Sequence, residues 1–221
     1  MLQRLEYGYY DFASDERETK EQIKQAVSFS PSVISVLPQY TRVVNKILPD
    51  HIILGTIIDY PFGLSDFLSR EDAVKRAIKA GARSIEIVCP NHPLCNRKYD
   101  RFRIEIDCIK KICIDNMVDL RYIIDYKTYT FNLMHKVADI LYLKKLPTIY
   151  PSTSFSLDSI SDNILVSMML KKKNPNINVI ITGQAWTDKQ IDLILSNNEI
   201  SIYKTTNIHT LEKIASKILK N

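Results

Sequence analysis

Short runs of apolar, largely β-branched residues alternate along this chain with longer stretches whose apolar positions return every three to four residues. The first pattern is that of buried strands, the second that of helices with one apolar face. Strands are predicted at residues 7–10, 33–37, 52–58, 84–88, 120–124, 148–150, 178–181 and 201–203. Helices are predicted at 19–28, 69–80, 100–115, 132–143, 157–172, 187–196 and 210–220. The clearest is 69–80: Ser69 offers an N-cap hydroxyl, Asp72 stands near the capping-box position, and Gly81 follows the last turn. Alternating strands and helices call for a parallel sheet, and eight such strands make a (β/α)8 barrel. No linker or low-complexity stretch interrupts residues 1–221, which read as one barrel domain.

Composition narrows the function more than the fold. A chain of 221 residues buries a core without staples, and 45% hydrophobic with 25% charged residues is ordinary for a soluble globular protein. The net charge of +5 is dispersed, and Lys171-Lys172-Lys173 closes a predicted helix, where the dipole favours cations. No stacking motif accompanies that run. Tyr122, Tyr126 and Tyr129, near Arg121 and Lys127, read as packing residues at a strand end, so nucleic acid is not the expected partner. Cys89, Cys95, Cys108 and Cys113 lack zinc spacing, and Cys108 and Cys113 read as core thiols. His51, His92, His135 and His209 are scattered and read as loop or surface residues, so no metal and no cofactor are expected. The start Met1-Leu2-Gln3-Arg4-Leu5-Glu6 has no apolar signal region, and no run approaches a membrane span, which points to a reducing, cytosol-like compartment. Glycine is scarce, with only five in the chain, while turns that cradle phosphate usually need more. The abundance of Ile, Lys, Asn and Tyr is what an AT-rich genome produces, so a component of a viral particle stays among the readings.

Several motifs stand in a telling order. Thr19 and Ile23 match an A-T-x-x-x-I helix start. Pro38 and Tyr40 follow a strand, and Tyr60-Pro61-Phe62-Gly63 matches an F-P-x-G turn. The stretch Ala80 to Val88 follows G-A-x-E-I-D-M-V, and Leu120 to Asp125 follows L-K-V-I-I-E. Thr148-Ile149-Tyr150-Pro151-Ser152-Thr153-Ser154 matches F-I-K-T-S-T-G, Thr182-Gly183-Gln184 falls at S-G-G, and Ser201 to Thr205 at R-I-G-x-S. As an ordered set they resemble the deoxyribose-phosphate aldolases, barrel enzymes that bind an aldehyde as a lysine Schiff base. The resemblance covers nearly the whole chain.

It also implies where the chemistry has gone. The Schiff-base lysine position holds Tyr150, and a phenol forms no imine. The second lysine falls on Ile180, and the acid-base aspartate on Glu86, one methylene longer. The first-strand aspartate aligns with Tyr10, next to Asp11. The phosphate-binding glycines become Ser154, Gln184 and Tyr203, leaving Gly183, Ser152 and Ser154 as the remnant of a sugar-phosphate site. Tyr150 and Tyr203 read as plugs filling the old cavity from opposite sides. Lys204 is the candidate relocated nucleophile, with Lys127 as a lesser one, and Trp186 reads as an exposed anchor or a cover over the mouth. The expected protein is a non-catalytic aldolase-like barrel serving in structure or assembly, with a protein partner or its own copies. The alternatives are a lyase working through Lys204 with Glu86, and a sensor of a sugar phosphate.

Overall fold

A computed structural model describes residues 3–198 and 200–218. Eight strands run β1 (Arg4–Tyr9), β2 (Val33–Val36), β3 (Ile53–Ile58), β4 (Ser84–Val88), β5 (Asp119–Ile123), β6 (Thr148–Tyr150), β7 (Asn178–Val179) and β8 (Ile202–Thr205). All neighbours pair in parallel in the order β7-β6-β5-β4-β3-β2-β1-β8, and a bridge between Ile181 and Tyr203 brings the two ends together. This is a (β/α)8 barrel.

Helices α1 (Glu16–Val27), α2 (Thr41–Asn45), α3 (Phe67–Lys79), α4 (Asn91–Cys95), α5 (Tyr99–Asp115), α6 (Phe131–Leu143), α7 (Ile160–Lys173), α8 (Asp188–Ser196) and α9 (Ile208–Ile218) wrap the sheet. The last predicted helix extends to residues 219 and 220, which lie outside the described residues, as do Met1 and Leu2. Several helix starts fall earlier than the apolar pattern indicates, because the caps precede it, whereas α7 and α8 start later, at 160 and 188 against the expected 157 and 187. Asp15 caps α1 in a reciprocal box with Glu18, ahead of Thr19. Asp66, not Ser69, caps α3: its carboxylate accepts from the Ser69 amide at 3.0 Å.

Two other expectations are corrected. Cys108 is exposed, because the buried stripe of α5 runs through Phe102, Glu105, Ile106, Ile109 and Cys113 and leaves position 108 on the outer side. His135 is buried on α6, with its ring edge-on to Phe131 at 4.1 Å, while His51, His92 and His209 are exposed. Between the sheet and α3 lies Arg70, fully buried, which donates to Asp59, to Glu105 Oε1 at 3.1 Å and to the Val88 carbonyl at 2.6 Å. That single guanidinium ties the ends of β3 and β4 to α5. Among the described residues no helix is long and apolar enough to cross a membrane, and no group of three or more His, Cys, Asp and Glu is placed to hold a metal.

Candidate functional site

Side chains alternate across a strand, so each barrel strand sends every second residue into the lumen. The lumen residues include four formal charges from four strands: Glu6 of β1, Glu86 of β4, Arg121 of β5 and Lys204 of β8. Each is at most 4% exposed. The cations and anions balance one to one, which is how a barrel interior tolerates charge at all.

Lys204 Nζ lies 2.5 Å from Glu86 Oε1, 2.6 Å from Oε2 and 2.8 Å from Ser35 Oγ. An ammonium has three protons, and these contacts occupy all three. Ser35 itself donates to Glu86 Oε1 at 2.7 Å. Room for Ser35 comes from Gly55 on the adjacent strand, where a Cβ would sit 2.2 Å from the serine oxygen. The ammonium also lies 5.6 Å from the Tyr10 ring centre and 5.3 Å from that of Tyr150, within cation–π range.

Tyr150 stands at the centre of the network. Arg121 Nη1 donates to its oxygen at 3.1 Å, and the phenol proton faces Glu86 Oε1 at 3.0 Å and Glu6 Oε2 at 3.3 Å. Arg121 Nη1 reaches both Glu6 oxygens, at 2.9 and 3.0 Å. Burial, with the charges of Glu6 and Glu86, pushes the Tyr150 phenol well above its ordinary value, so it stays protonated. For Glu86, burial works upward, but Lys204 and Arg121 outweigh it and hold the carboxyl below its usual range. Burial lowers Lys204, with Glu86 and Glu6 opposing.

The remaining predicted residues divide. Ile180 directly follows β7, its amide donating to the Ile149 carbonyl, and is fully buried, an apolar residue where the resemblance places a second lysine. Tyr10 joins the site from above, donating to Glu86 Oε2 at 3.1 Å, whereas Asp11 is exposed and accepts from the Ala13 amide. Tyr203 corrects its expectation: it alternates with Lys204, so it faces the helices, and its hydroxyl donates to the Gly183 carbonyl at 2.6 Å. Lys127 is exposed and donates to the Phe155 carbonyl, away from the lumen. Trp186 is 63% exposed. Gly183 has φ +104°, and the space a side chain would take is filled by the backbone of Ile160 at 3.0 Å. Ser152 Oγ accepts from the Ser154 amide at 3.1 Å and lies 3.5 Å from Asp125, with buried Asp158 on the same rim accepting from Thr182 and Asn163. Over the mouth, Tyr10 packs on Tyr60, and the rings of Phe12, Tyr60 and Phe155 stand 6.0 to 6.1 Å apart, with Phe62 against Phe155.

The pattern reading missed Glu6, Ser35 and the pairing of Arg121. Their signal was present: Leu-Glu-Tyr, Ile-Glu-Ile, Leu-Arg-Tyr and Tyr-Lys-Thr each set one charge among residues of a buried strand, and opposite signs invite pairing.

This architecture places the chain in the class of (β/α)8 barrels, with the charged constellation inside. Its likeness within that class is to the deoxyribose-phosphate aldolases. A deoxyribose-phosphate aldolase of Clostridioides difficile (strain 630) is 30% identical over 94 residues, 42% of this chain and 43% of that protein, so the match spans less than half of either. QR15, an aldolase, has a similar structure at TM-score 0.83 and 18% identity, covering 97% of this chain and 94% of that one. The deoxyribose phosphate aldolase of Aeropyrum pernix, described as tetrameric, aligns at TM-score 0.78 and 14% identity over 98% and 89%. No family model matches the chain. The likeness to deoxyribose-phosphate aldolases thus rests on sequence over part of the chain, with a shared fold over nearly all of it.

Proposed function

We propose that this protein is a non-catalytic aldolase-like barrel, retained as a rigid body for assembly or protein binding. The observation that carries this reading is the saturation of Lys204. An amine attacks a carbonyl with a free lone pair and with space in front of it. Lys204 is 3% exposed, its protons are taken by Glu86 and Ser35, and the Tyr10 and Tyr150 rings flank it. At the position of the Schiff-base lysine, Tyr150 supplies ring bulk and one hydrogen bond donor. The acids Asp125 and Asp158 beside Ser152 and Gly183 repel a phosphate and weigh against a sugar-phosphate sensor. The four free cysteines fit a reducing compartment.

One observation favours a second reading, a lyase working through Lys204. Burial lowers the lysine's pKa, and a candidate acid-base carboxylate lies 2.5 Å away. Reductive trapping separates the two. The protein is incubated with deoxyribose 5-phosphate or acetaldehyde and cyanoborohydride, digested and mapped by mass spectrometry. The expected result is an unmodified Lys204 under conditions that label exposed lysines. An adduct on Lys204 overturns the non-catalytic reading and establishes imine chemistry.

A further inference from the structure

Outer helices of this barrel are dressed with charge. On α1 and α3, Glu16 pairs with Lys20, Glu71 with Lys75 and Asp72 with Arg76, each one turn apart. Helix α7 departs from that rule. Between Asp162 and Lys171 it carries no charged residue, and its apolar side chains lie on every side. Ile160, Asn163, Val166, Ser167 and Leu170 face the barrel. That leaves Leu165, Met168 and Met169 on the outer side, with Leu165 56% and Met168 53% exposed and Met169 half-buried, while Ile164 packs against the core. A helix apolar all round is ordinarily covered on both sides.

The ends of this face decide what covers it. Exposed Asp162 stands at the N-terminal end of the stripe and exposed Lys172 at the C-terminal end, ten residues or about 15 Å apart. On a helical wheel both share the arc of Leu165 and Met169. The face is therefore complementary to itself when reversed. A two-fold axis near position 167 brings Asp162 of each copy opposite Lys172 of the other and Leu165 opposite Met169. We propose that α7 is a self-association face, on which a second copy of this chain packs its own α7 antiparallel. The proposal stands whether or not Lys204 reacts. One helix pair buries less than the roughly 1,200 Å² of a standard interface, which makes the association a weak and transient one.

The test uses the whole chain in sedimentation velocity from about 1 to 300 µM, a span that brackets such affinities. The wild type is expected to pass from monomer to dimer, less readily at high salt. Asp162→Lys or Lys172→Asp turns two attractions into two repulsions and weakens self-association roughly tenfold or more. Mixing the two variants restores attraction at both contacts and yields a heterodimer, an outcome no unrelated interface reproduces. Circular dichroism confirms that both variants fold, which exposed positions allow. Three results overturn the proposal: a wild type monomeric throughout, a dimer indifferent to both charge reversals, or a monomer that seats a different protein on this face.

Discussion

Replacing Lys204 by methionine removes an ammonium and leaves a carboxylate, Glu86, 1% exposed inside the barrel. Ser35, Tyr10 and Tyr150 still offer it protons, and Arg121 lies nearby, so the loss belongs at the lower end of the cost of breaking a buried pair, about 3 kcal/mol. For a chain of this length that corresponds to a fall in Tm of about 6–12 °C. Glu86→Gln alone strands the ammonium instead and should cost a similar amount. The double variant strands neither charge and should lie within about 1.5 kcal/mol of wild type, giving a coupling of several kcal/mol between the two sites. Urea unfolding of all four proteins, with the slopes compared to exclude a change in denatured-state compactness, measures the cycle. If each single variant costs less than about 1 kcal/mol and the two simply add, water bathes the pair as it bathes exposed ion pairs. The closed lumen, and with it the argument that Lys204 is sealed from substrates, would then be wrong.

Two further outcomes follow from the same geometry. Glu86 titrates below its ordinary value of 4.5 in the folded state, so its contribution is complete above pH 4.5 and is lost as pH falls through the folded value. Urea midpoints measured down to about pH 3 should fall on the acid side in the wild type and less so in Glu86→Gln, and equal slopes would contradict the assignment. Gly183→Ala imposes a side chain at φ +104° against the Ile160 backbone and should cost about 1–3 kcal/mol, whereas an unchanged Tm would mean that α7 yields there.

The barrel was legible because its signal is periodic and repeated. The strand at 84–88 and the helix end at 143 fall where the apolar pattern places them, and all eight strands are present. Helix starts were less legible, since a cap such as Asp66 or Asp15 lies outside the apolar repeat that announces the helix. Lys204 and Glu86 stood out through the resemblance, but their contact is an encounter between β8 and β4, a distance in sequence that no local spacing encodes. Tyr203 was misread for a related reason. Its place in the aligned motif suggested the cavity, while strand parity turns it toward the helices. Parity also explains why Glu6 and the pairing of Arg121 escaped notice: a lone charge in a strand is ambiguous until the face it occupies is known.

The closure of the sheet has a mechanical consequence. Strand β7 is two residues long, and its contact with β8 is the bridge at Ile181 and Tyr203, with the Ile181 amide bound to Ile202 and the Lys204 amide to Ile181. Among the described residues, the polar ties across the lumen run from β1, β2, β4, β5, β6 and β8, and neither β3 nor β7 takes part. The barrel is thus a hoop with one thin seam. Thermal openings short of global unfolding will part it there, exposing the amides of Ile181 and Lys204 to solvent while the charged lumen still holds the strands it ties in register.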